Sequence, residues 1–133
     1  MKLVDGKATL VTGAASGIGQ AVAEGYAGQG ARVGVADINR ERAEAVASGI
    51  REAGGEAIAV ELDVSNPQSV QQAIETMVGQ YGRLDVMINN AGILKAHWIV
   101  DFPLEDWQAI FRVNTEGTFL CSQAAARQMI RQG

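Results

Sequence analysis

Three glycines follow a short apolar segment near the start of the chain, in the sequence Thr-Gly-Ala-Ala-Ser-Gly-Ile-Gly of residues 12–19. Glycine tolerates positive φ and lets the backbone approach a ligand closely. A helix that begins within this segment adds unpaired N–H groups and a dipole that favours negative charge. The spacing predicts a strand-to-helix turn that binds phosphate groups, such as a dinucleotide pyrophosphate. The structural alternative is an ordinary tight turn, because the spacing differs from the commoner G-x-G-x-x-G fingerprint.

Asp37 ends a second predicted strand, 18 residues after Gly19. A carboxylate at this distance accepts hydrogen bonds from the adenosine ribose hydroxyls of a bound dinucleotide, and it repels a 2′-phosphate. Neither Ile38 nor Ala15 offers a cation to such a phosphate. The pattern therefore predicts NAD as the cofactor and disfavours NADP. The structural alternative for Asp37 is a turn residue or a cap of the next helix.

Two further motifs follow predicted strands. Asp63-Val64 comes after the third strand, and Asn-Asn-Ala-Gly at residues 89–92 comes after the fourth. Open parallel sheets bind ligands at the carboxyl ends of their strands. Asp63 can accept from an adenine amino group, while Ala91 and Gly92 let a cofactor pass close to the backbone. The alternatives are a turn-stabilising carboxylate and a polar turn that ends in glycine.

Short apolar strands alternate with amphipathic helices along the whole chain, and these elements must position the motifs. The predicted strands cover residues 8–12, 32–37, 57–62 and 84–88, and the predicted helices cover 17–29, the stretch around 43–50, 67–81, 104–112 and 115–132. Asn66 and Pro67 are a favourable N-cap and first helical residue. This alternation predicts parallel strands with right-handed crossovers, and hence a doubly wound α/β sheet in one domain over residues 1–133.

Composition excludes several classes of function. A net charge of −4 argues against a general nucleic-acid or membrane-surface binder, which needs a basic patch. With 47% hydrophobic and 20% charged residues, the chain is typical of a folded globular protein. The lone Cys121, predicted to be a small core residue, favours a reducing cytoplasmic setting. Because His97 is the single histidine, we predict no metal site.

Together these motifs resemble the short-chain dehydrogenase/reductase family. The glycine turn, Asp37, Asp63-Val64, the motif at residues 89–92 and Val113-Asn114 follow the family's order at similar intervals, over essentially the whole chain. The resemblance implies a Rossmann-type fold, truncated here after about four strands. It also implies hydride transfer between a nicotinamide cofactor and an alcohol or carbonyl. From the predicted preference for NAD we expect a sugar alcohol, a diol or another secondary alcohol.

The resemblance also implies roles for individual residues. The implied cofactor-binding residues are Gly13, Ser16, Gly17, Ile18, Gly19, Asp37, Ile38, Asp63, Val64, Asn90, Ala91, Gly92 and Val113. The first five would wrap the pyrophosphate and adenosine, the next four the adenine ribose and ring, and the last four the nicotinamide side. Asn114 matches the asparagine of the family's Asn-Ser-Tyr-Lys catalytic group, whose backbone carbonyl helps to hold a water in a proton relay. From the residues alone, Asn114 is an N-cap of the helix that begins at Thr115.

The other members of that catalytic group have no counterpart in residues 1–133. Tyr26 is followed four residues later by Gly30 and Tyr81 by Asp85, so neither begins the family's Tyr-x-x-x-Lys pair. We therefore expect this chain to be the amino-terminal, cofactor-binding part of a longer dehydrogenase, and to be inactive by itself. The alternatives are a dinucleotide-binding module without catalysis and, less in keeping with residues 89–92, a domain for another nucleotide such as S-adenosylmethionine.

Three predictions concern apolar side chains. The last helix has one apolar face of Val113, Gly117, Leu120, Cys121 and Ala124 and another of Phe119, Ala126, Met129 and Ile130. A helix that is apolar on both faces is buried on both, so we expect a missing element or a homo-oligomer, either a dimer or a tetramer. Ile18, Val22 and Tyr26 are predicted to form the stripe of the first helix. Trp98, Trp107 and Phe111 are predicted to pack under the segment that follows the fourth strand.

Overall fold

A computed structural model describes residues 2–133. Its elements are β1 (Ala8–Thr12), α1 (Gly17–Gly28), β2 (Arg32–Asp37), α2 (Arg40–Glu52), β3 (Glu56–Glu61), α3 (Pro67–Tyr81), β4 (Val86–Ile88), a 3₁₀ turn (Ile99–Asp101), α4 (Leu104–Phe111), a π-helical turn (Arg112–Glu116) and α5 (Gly117–Gln132). Within the described range, none of the helices combines the length and the apolarity that a membrane crossing requires.

The four strands form one parallel sheet in the order β3-β2-β1-β4. Thr9 on β1 is paired with Val33 on one side and Val86 on the other. The chain therefore runs outward from β1 to β3 and then returns to the far side of β1, which makes the carboxyl ends of β1 and β4 the topological switch point. The predicted doubly wound α/β architecture is confirmed.

Helices cover both faces of the sheet. On one face α1 and α2 bury small and branched side chains, among them Ala23, Ala27, Ala43, Val46 and Ala47. On the other face α3 and α5 pack against each other and cover β1 and β4, in a core that contains Leu10, Ile74, Met77, Cys121 and Ala125. Fully burying a side chain such as Leu10 contributes about 2 kcal/mol to the free energy of unfolding. Cys121 has no exposed surface, in agreement with its predicted core position.

The fourth strand is shorter than predicted because a side chain replaces part of its pairing with β1. The Asp85 N–H donates to the Ala8 carbonyl at 2.8 Å. The Ala8 N–H, which in a parallel ladder would donate to a backbone carbonyl of the neighbouring strand, donates instead to the Asp85 carboxylate at 2.9 Å. The carboxylate thus stands in for a backbone carbonyl, and regular pairing begins only at Val86.

The predicted apolar stripe of α1 is wrong by one residue. Ile18 is 78% exposed, whereas Gly19, Ala23 and Ala27 are the buried residues of this helix. Val22 and Tyr26 are partly buried at the edge of the same core. At Gly19 no larger residue fits, because an added Cβ atom would overlap the Gly13 carbonyl oxygen.

The N-cap interpretation of Asn114 is also wrong. The backbone stays in the right-handed helical region through Phe111, Arg112, Glu116 and Gly117, so α4, the π-helical turn and α5 form one continuous helix. Asn114 lies inside the π-helical turn, where no helix begins. A π-turn within an α-helix frequently marks a functional site.

The aromatic residues after β4 are not packed beneath that segment, contrary to prediction. Trp98 is 83% exposed, Trp107 50% and Phe111 44%. Trp107 and Phe111 stack on each other with ring centroids 4.2 Å apart. On α5, Phe119 and Ile130 are also exposed. Residues 94–133 contain nine large exposed apolar side chains, which we call the exposed apolar set: Leu94, Trp98, Ile99, Val100, Leu104, Trp107, Phe111, Phe119 and Ile130.

Candidate functional site

The glycine turn, residues 12–19, is hydrogen-bonded to the end of β2. Gly13 has a φ of +62°, and a Cβ atom placed on it would lie 2.9 Å from the Ala91 Cα. The Ala14 N–H donates to the Ala36 carbonyl at 2.9 Å. Ser16 is the exposed N-cap residue of α1. Gly17 has a φ of +57° and open space around it, so its requirement for glycine is conformational rather than steric.

Asn90 and Thr12 join the turn after β4 to the turn after β1. The Asn90 side-chain amide donates to the carbonyls of Thr12 and Gly13, both at 3.1 Å. The Thr12 hydroxyl accepts from the N–H groups of Asn90 and Ala91, both at 3.0 Å. A Cβ atom on Gly19 would overlap the Gly13 carbonyl oxygen and lie 2.5 Å from Asn90 Nδ2. The two turns are therefore one packed unit that has no room for a side chain at Gly19.

Asp37 bridges the end of β2 and the glycine turn. One carboxylate oxygen accepts from the Ala15 N–H at 3.2 Å and the other from the Asn39 N–H at 3.0 Å. Asn39, rather than Asp37, caps α2 by accepting from the Arg42 N–H at 3.0 Å. A carboxylate has about four acceptor positions, so Asp37 keeps capacity for ribose hydroxyls. Ile38 beside it is 69% exposed.

Asp63 and Val64 form the loop after β3. Asp63 Oδ1 accepts from the N–H and the hydroxyl of Ser65, at 3.0 and 2.6 Å, so the turn-stabilising role is present. Within residues 2–133 no hydrogen bond reaches Asp63 Oδ2, which leaves that oxygen open to a ligand. Val64 is 7% exposed. It packs against Gly117, where an added Cβ atom would lie 2.6 Å from Val64 Cγ2.

Asn114 joins the segment after β4 to the continuous helix of α4, the π-helical turn and α5, called the long helix below. Its side-chain oxygen accepts from the Ile93 N–H at 2.8 Å, and its amide donates to the Ile93 carbonyl at 2.9 Å. This pair of bonds imitates the pairing of two backbone segments. The Asn114 carbonyl accepts from the Thr118 hydroxyl at 3.0 Å. Gly92 lies beside this pair of bonds, since a Cβ on it would be 3.3 Å from Asn114 Oδ1.

A cavity of about 180 Å³ opens at the carboxyl edge of the sheet, lined by Gly13, Asp37, Ile38, Leu62, Asp63, Val64, Ala91, Gly92, Ile93 and Val113. All of these except Leu62 and Ile93 were predicted to bind the cofactor. The predicted residues Ser16, Gly17, Ile18, Gly19, Asn90 and Asn114 lie outside the lining. A larger groove of about 690 Å³, lined by the carboxyl ends of α1 and α2, contains none of the predicted residues.

The described residues contain no group of three or more His, Cys, Asp or Glu side chains that could hold a metal ion. The Cys121 thiol lies in the core rather than in the cavity, and burial raises its pKa to about 11. A thiol with such a pKa is a poor nucleophile at neutral pH. The polar groups that face the cavity are therefore the carboxylates of Asp37 and Asp63 together with backbone amides.

Sequence reasoning missed four residues that shape this site. Thr12 links the two turns, Leu62 and Ile93 line the cavity, and Gly117 allows α5 to approach Val64. Only two of them carried a usable signal. Gly117 stands inside a helical pattern, where glycine needs a packing reason, and Thr12 is a polar residue at the end of an apolar strand.

Comparison with known proteins agrees with this geometry. The sequence profile of the short chain dehydrogenase family matches residues 7–133. The chain belongs to the short-chain dehydrogenase/reductase family. Its sequence is 40% identical over 130 residues to D-threitol dehydrogenase of Mycolicibacterium smegmatis, covering 98% of this chain and 50% of that protein. It is 42% identical over 134 residues to L-rhamnose 1-dehydrogenase (NAD(P)(+)) of a Sphingomonas species, covering 100% of this chain and 53% of that protein.

Among solved structures, the chain superposes on a short-chain type dehydrogenase/reductase from Mycobacterium marinum with a TM-score of 0.94 and 41% identity. That match covers 97% of this chain and 52% of the other. The chain thus spans about half the length of the relatives it matches. Members of the family are oxidoreductases of small molecules that use a nicotinamide cofactor.

Proposed function

We propose that residues 1–133 form the NAD(P)-binding Rossmann domain of a short-chain dehydrogenase, incomplete at the carboxyl end relative to its family. The complete protein would transfer hydride between NAD and an alcohol or carbonyl. The observation that carries this proposal is the convergence of the glycine turn, Asp37, Asp63 and the segment 90–92 on one edge of the sheet, at the switch point. Eight of the residues predicted to bind the cofactor line a single cavity at this edge.

Each part of the proposed site suits one part of a dinucleotide. The N-terminus of α1 with the glycine turn would hold the pyrophosphate through N–H groups and the helix dipole. Asp37 would accept from the adenine ribose hydroxyls, and Asp63 Oδ2 from the adenine amino group. Ala91, Gly92 and Val113 would border the nicotinamide half. When bound, the nicotinamide supplies the hydride chemistry, while the protein binds and orients it.

We infer that the cofactor is NAD rather than NADP. Asp37 supports this inference, because a fixed carboxylate beside the ribose repels a 2′-phosphate. The neighbouring Ile38 is an exposed apolar residue and offers no compensating charge. The name of the rhamnose dehydrogenase includes both cofactors, so the family uses either.

The test measures dissociation constants for NADH and NADPH by titration calorimetry. We expect NADH to bind about tenfold tighter or better, and Asp37→Asn to reduce that ratio by removing the charge. Asp101→Asn, at an exposed position on the 3₁₀ turn, is the matched control and leaves the ratio unchanged. Equal affinities in the wild type, or an unchanged ratio in Asp37→Asn, would count against the inference.

For the substrate we propose a sugar alcohol, a diol or another secondary alcohol. The first relative supports this class, since its name specifies the sugar alcohol threitol, and the second is named for a sugar, rhamnose. Asn114 would contribute its backbone carbonyl to a proton relay. The family's serine and Tyr-x-x-x-Lys pair do not occur in residues 1–133, so we expect this chain to bind NADH without reducing NAD in the presence of D-threitol. Turnover by the 133-residue chain would overturn this assignment of the chemistry.

We also propose that the protein is a homo-oligomer of the cytoplasm. The exposed apolar set supports oligomerisation, because Leu104, Trp107 and Phe111 lie at helical spacing on one face of α4 and an exposed apolar patch marks an interaction site. The long helix carries Glu105 and Asp106 near one end and Arg127 and Arg131 near the other. Two copies packed antiparallel along this helix would bring opposite charges together. Sedimentation velocity tests this, with a dimer or tetramer expected and a monomer at all concentrations as the contrary result.

A further inference from the structure

Gly117 lies where the long helix crosses the loop after β3. A Cβ atom placed there would lie 2.6 Å from Val64 Cγ2, 3.0 Å from Val64 Cβ and 3.4 Å from the Val64 carbonyl oxygen. Both residues are buried. The helix therefore approaches Val64 more closely than any residue with a side chain permits.

Val64 cannot move away from this contact by itself. Rotation about χ1 would not relieve the contact, because the Val64 Cβ atom itself would still lie 3.0 Å from the added atom. The loop is also held from the other side. The Asp63 N–H donates to the Ser69 hydroxyl at 2.9 Å, the Asp63 carbonyl accepts from the Asn66 N–H at 3.1 Å, and the Leu62 N–H donates to Asp37 at 3.0 Å. A side chain at Gly117 would shift the loop as a unit.

Most of the other helix glycines have no such steric requirement. Gly25, Gly28, Gly49 and Gly79 have nothing within 4 Å of an added Cβ atom. Glycine in a helix interior costs about 1 kcal/mol relative to alanine, so a helix glycine with a packed neighbour has a reason to be retained. Gly19 meets the glycine turn, and Gly117 meets the residue that lines the cavity beside Asp63.

We propose that Gly117 is a positioning residue for the adenine end of the cofactor site. By admitting the helix close to Val64, it sets the position of the Asp63–Val64 loop and so aims Asp63 Oδ2 at the exocyclic group of the base. The inference rests on the proposed binding of a dinucleotide. It adds that the selectivity for the base depends on a residue of the long helix, more than fifty positions from that loop in the sequence.

The experiment compares NADH with reduced nicotinamide hypoxanthine dinucleotide, in which a carbonyl replaces the adenine amino group. The wild-type chain is expected to bind NADH about tenfold more tightly, because Asp63 accepts from the amino group and repels a carbonyl. In Gly117→Ala the ratio should fall to about twofold, because the displaced loop no longer aims its acceptor at the base. Gly79→Ala is the matched control, the same substitution in a helix without a packed neighbour, and it should keep the wild-type ratio.

A complementary variant keeps the inference testable if Gly117→Ala folds poorly. Val64→Gly removes both the Cγ atoms and the Cβ atom that the new methyl group would strike. Adding Gly117→Ala to Val64→Gly should therefore leave the base ratio of Val64→Gly unchanged within about twofold. The inference is overturned if Gly117→Ala keeps the wild-type ratio, even with a lowered melting temperature. It is equally overturned if the double variant unfolds or loses selectivity relative to Val64→Gly. A folded wild type that binds neither dinucleotide instead overturns the proposed function itself, and the inference with it.

Discussion

The carboxyl edge of the sheet and the segment from residue 93 onward differ in whether their side chains find partners within the chain. At the carboxyl edge, buried polar groups meet partners within the chain, as Thr12 does with Asn90 and Ala91. In the later segment, large apolar side chains such as Trp98 and Val100 are more than 80% exposed. In the first region the polar groups are paired within the chain, and in the second the large apolar side chains face outward. The two regions therefore demand different experiments, binding of a small molecule for one and association for the other.

The largest effect is expected from a substitution in the glycine turn at the carboxyl edge of the sheet. Gly19→Ala places a methyl group against the Gly13 carbonyl and the Asn90 amide, where overpacking costs about 3 kcal/mol. We expect NADH affinity to fall by about 100-fold, measured by calorimetry on protein shown to be folded by circular dichroism. Gly25→Ala on the same helix has open space and should bind as the wild type does. Full NADH affinity in Gly19→Ala would mean that the turn does not hold the pyrophosphate.

The second prediction concerns the exposed apolar set and its role in association. Phe119 is 59% exposed on α5, and Phe119→Glu would introduce a charge into an interface formed there. We expect the dissociation constant of the oligomer to rise by about 30-fold or more in sedimentation equilibrium, without loss of NADH binding. Leu3→Glu replaces a more exposed apolar residue, 79% exposed, near the amino terminus and serves as the control. If both variants associate like the wild type, the interface lies elsewhere.

A smaller effect, on stability, is expected from replacing Asp85, which lies directly before β4. Burial raises the pKa of Asp85. The hydrogen bond from the Ala8 N–H and the charges of Arg83 and Lys7 together lower it by more, so the pKa lies below its ordinary value of 3.8. Because the folded-state pKa is depressed, the stabilisation is present above pH 3.8 and is lost as the pH falls through the folded value.

Asp85→Asn should therefore lower the free energy of unfolding by about 1 kcal/mol at pH 7, mostly through the weakened Ala8 bond, since Arg83 is half-exposed. Urea titrations at pH 7, 5 and 3 check this, and the difference from the wild type should shrink between pH 5 and 3. A difference that stays constant over this range would contradict the role given to the carboxylate. The exposed Asp101→Asn is the control for general charge effects.

The smallest effect concerns Cys121. Because burial raises its pKa to about 11 and leaves no exposed surface, the folded chain should not react with a thiol reagent at pH 8 within the time that the unfolded chain needs to react fully. Rapid labelling under native conditions would show that the contact between α5 and the sheet opens readily.

Much of the fold could be predicted from local signals. Asn66 and Pro67 start α3 as expected, with Asn66 accepting from the N–H groups of Gln68 and Ser69. The alternation of strands and helices led to the parallel sheet. Errors arose where a contact distant in sequence decided the outcome. The Asp85 carboxylate replaces part of the pairing next to β4, and Gly19 rather than Ile18 is buried, against Gly13 and Asn90.

The candidate site was predictable where a motif is local and unpredictable where backbone segments meet. Asp37, Asp63 and the segment 90–92 lie at strand ends and were identified from the sequence. Gly117 was not identified as part of the site, because its contact with Val64 spans more than fifty residues. The exposed aromatic residues were misassigned for another reason, since a hydrophobic pattern is the same for a core and for an interface.

The central claim is that the carboxyl edge of this chain is a dinucleotide site, and direct titration with NADH tests it. Calorimetry of the folded 133-residue chain should give saturable binding of one NADH per chain, abolished or severely weakened in Gly19→Ala and retained in Gly25→Ala. A folded wild-type chain that gives no binding heat at millimolar NADH, and no shift in melting temperature, would contradict the claim.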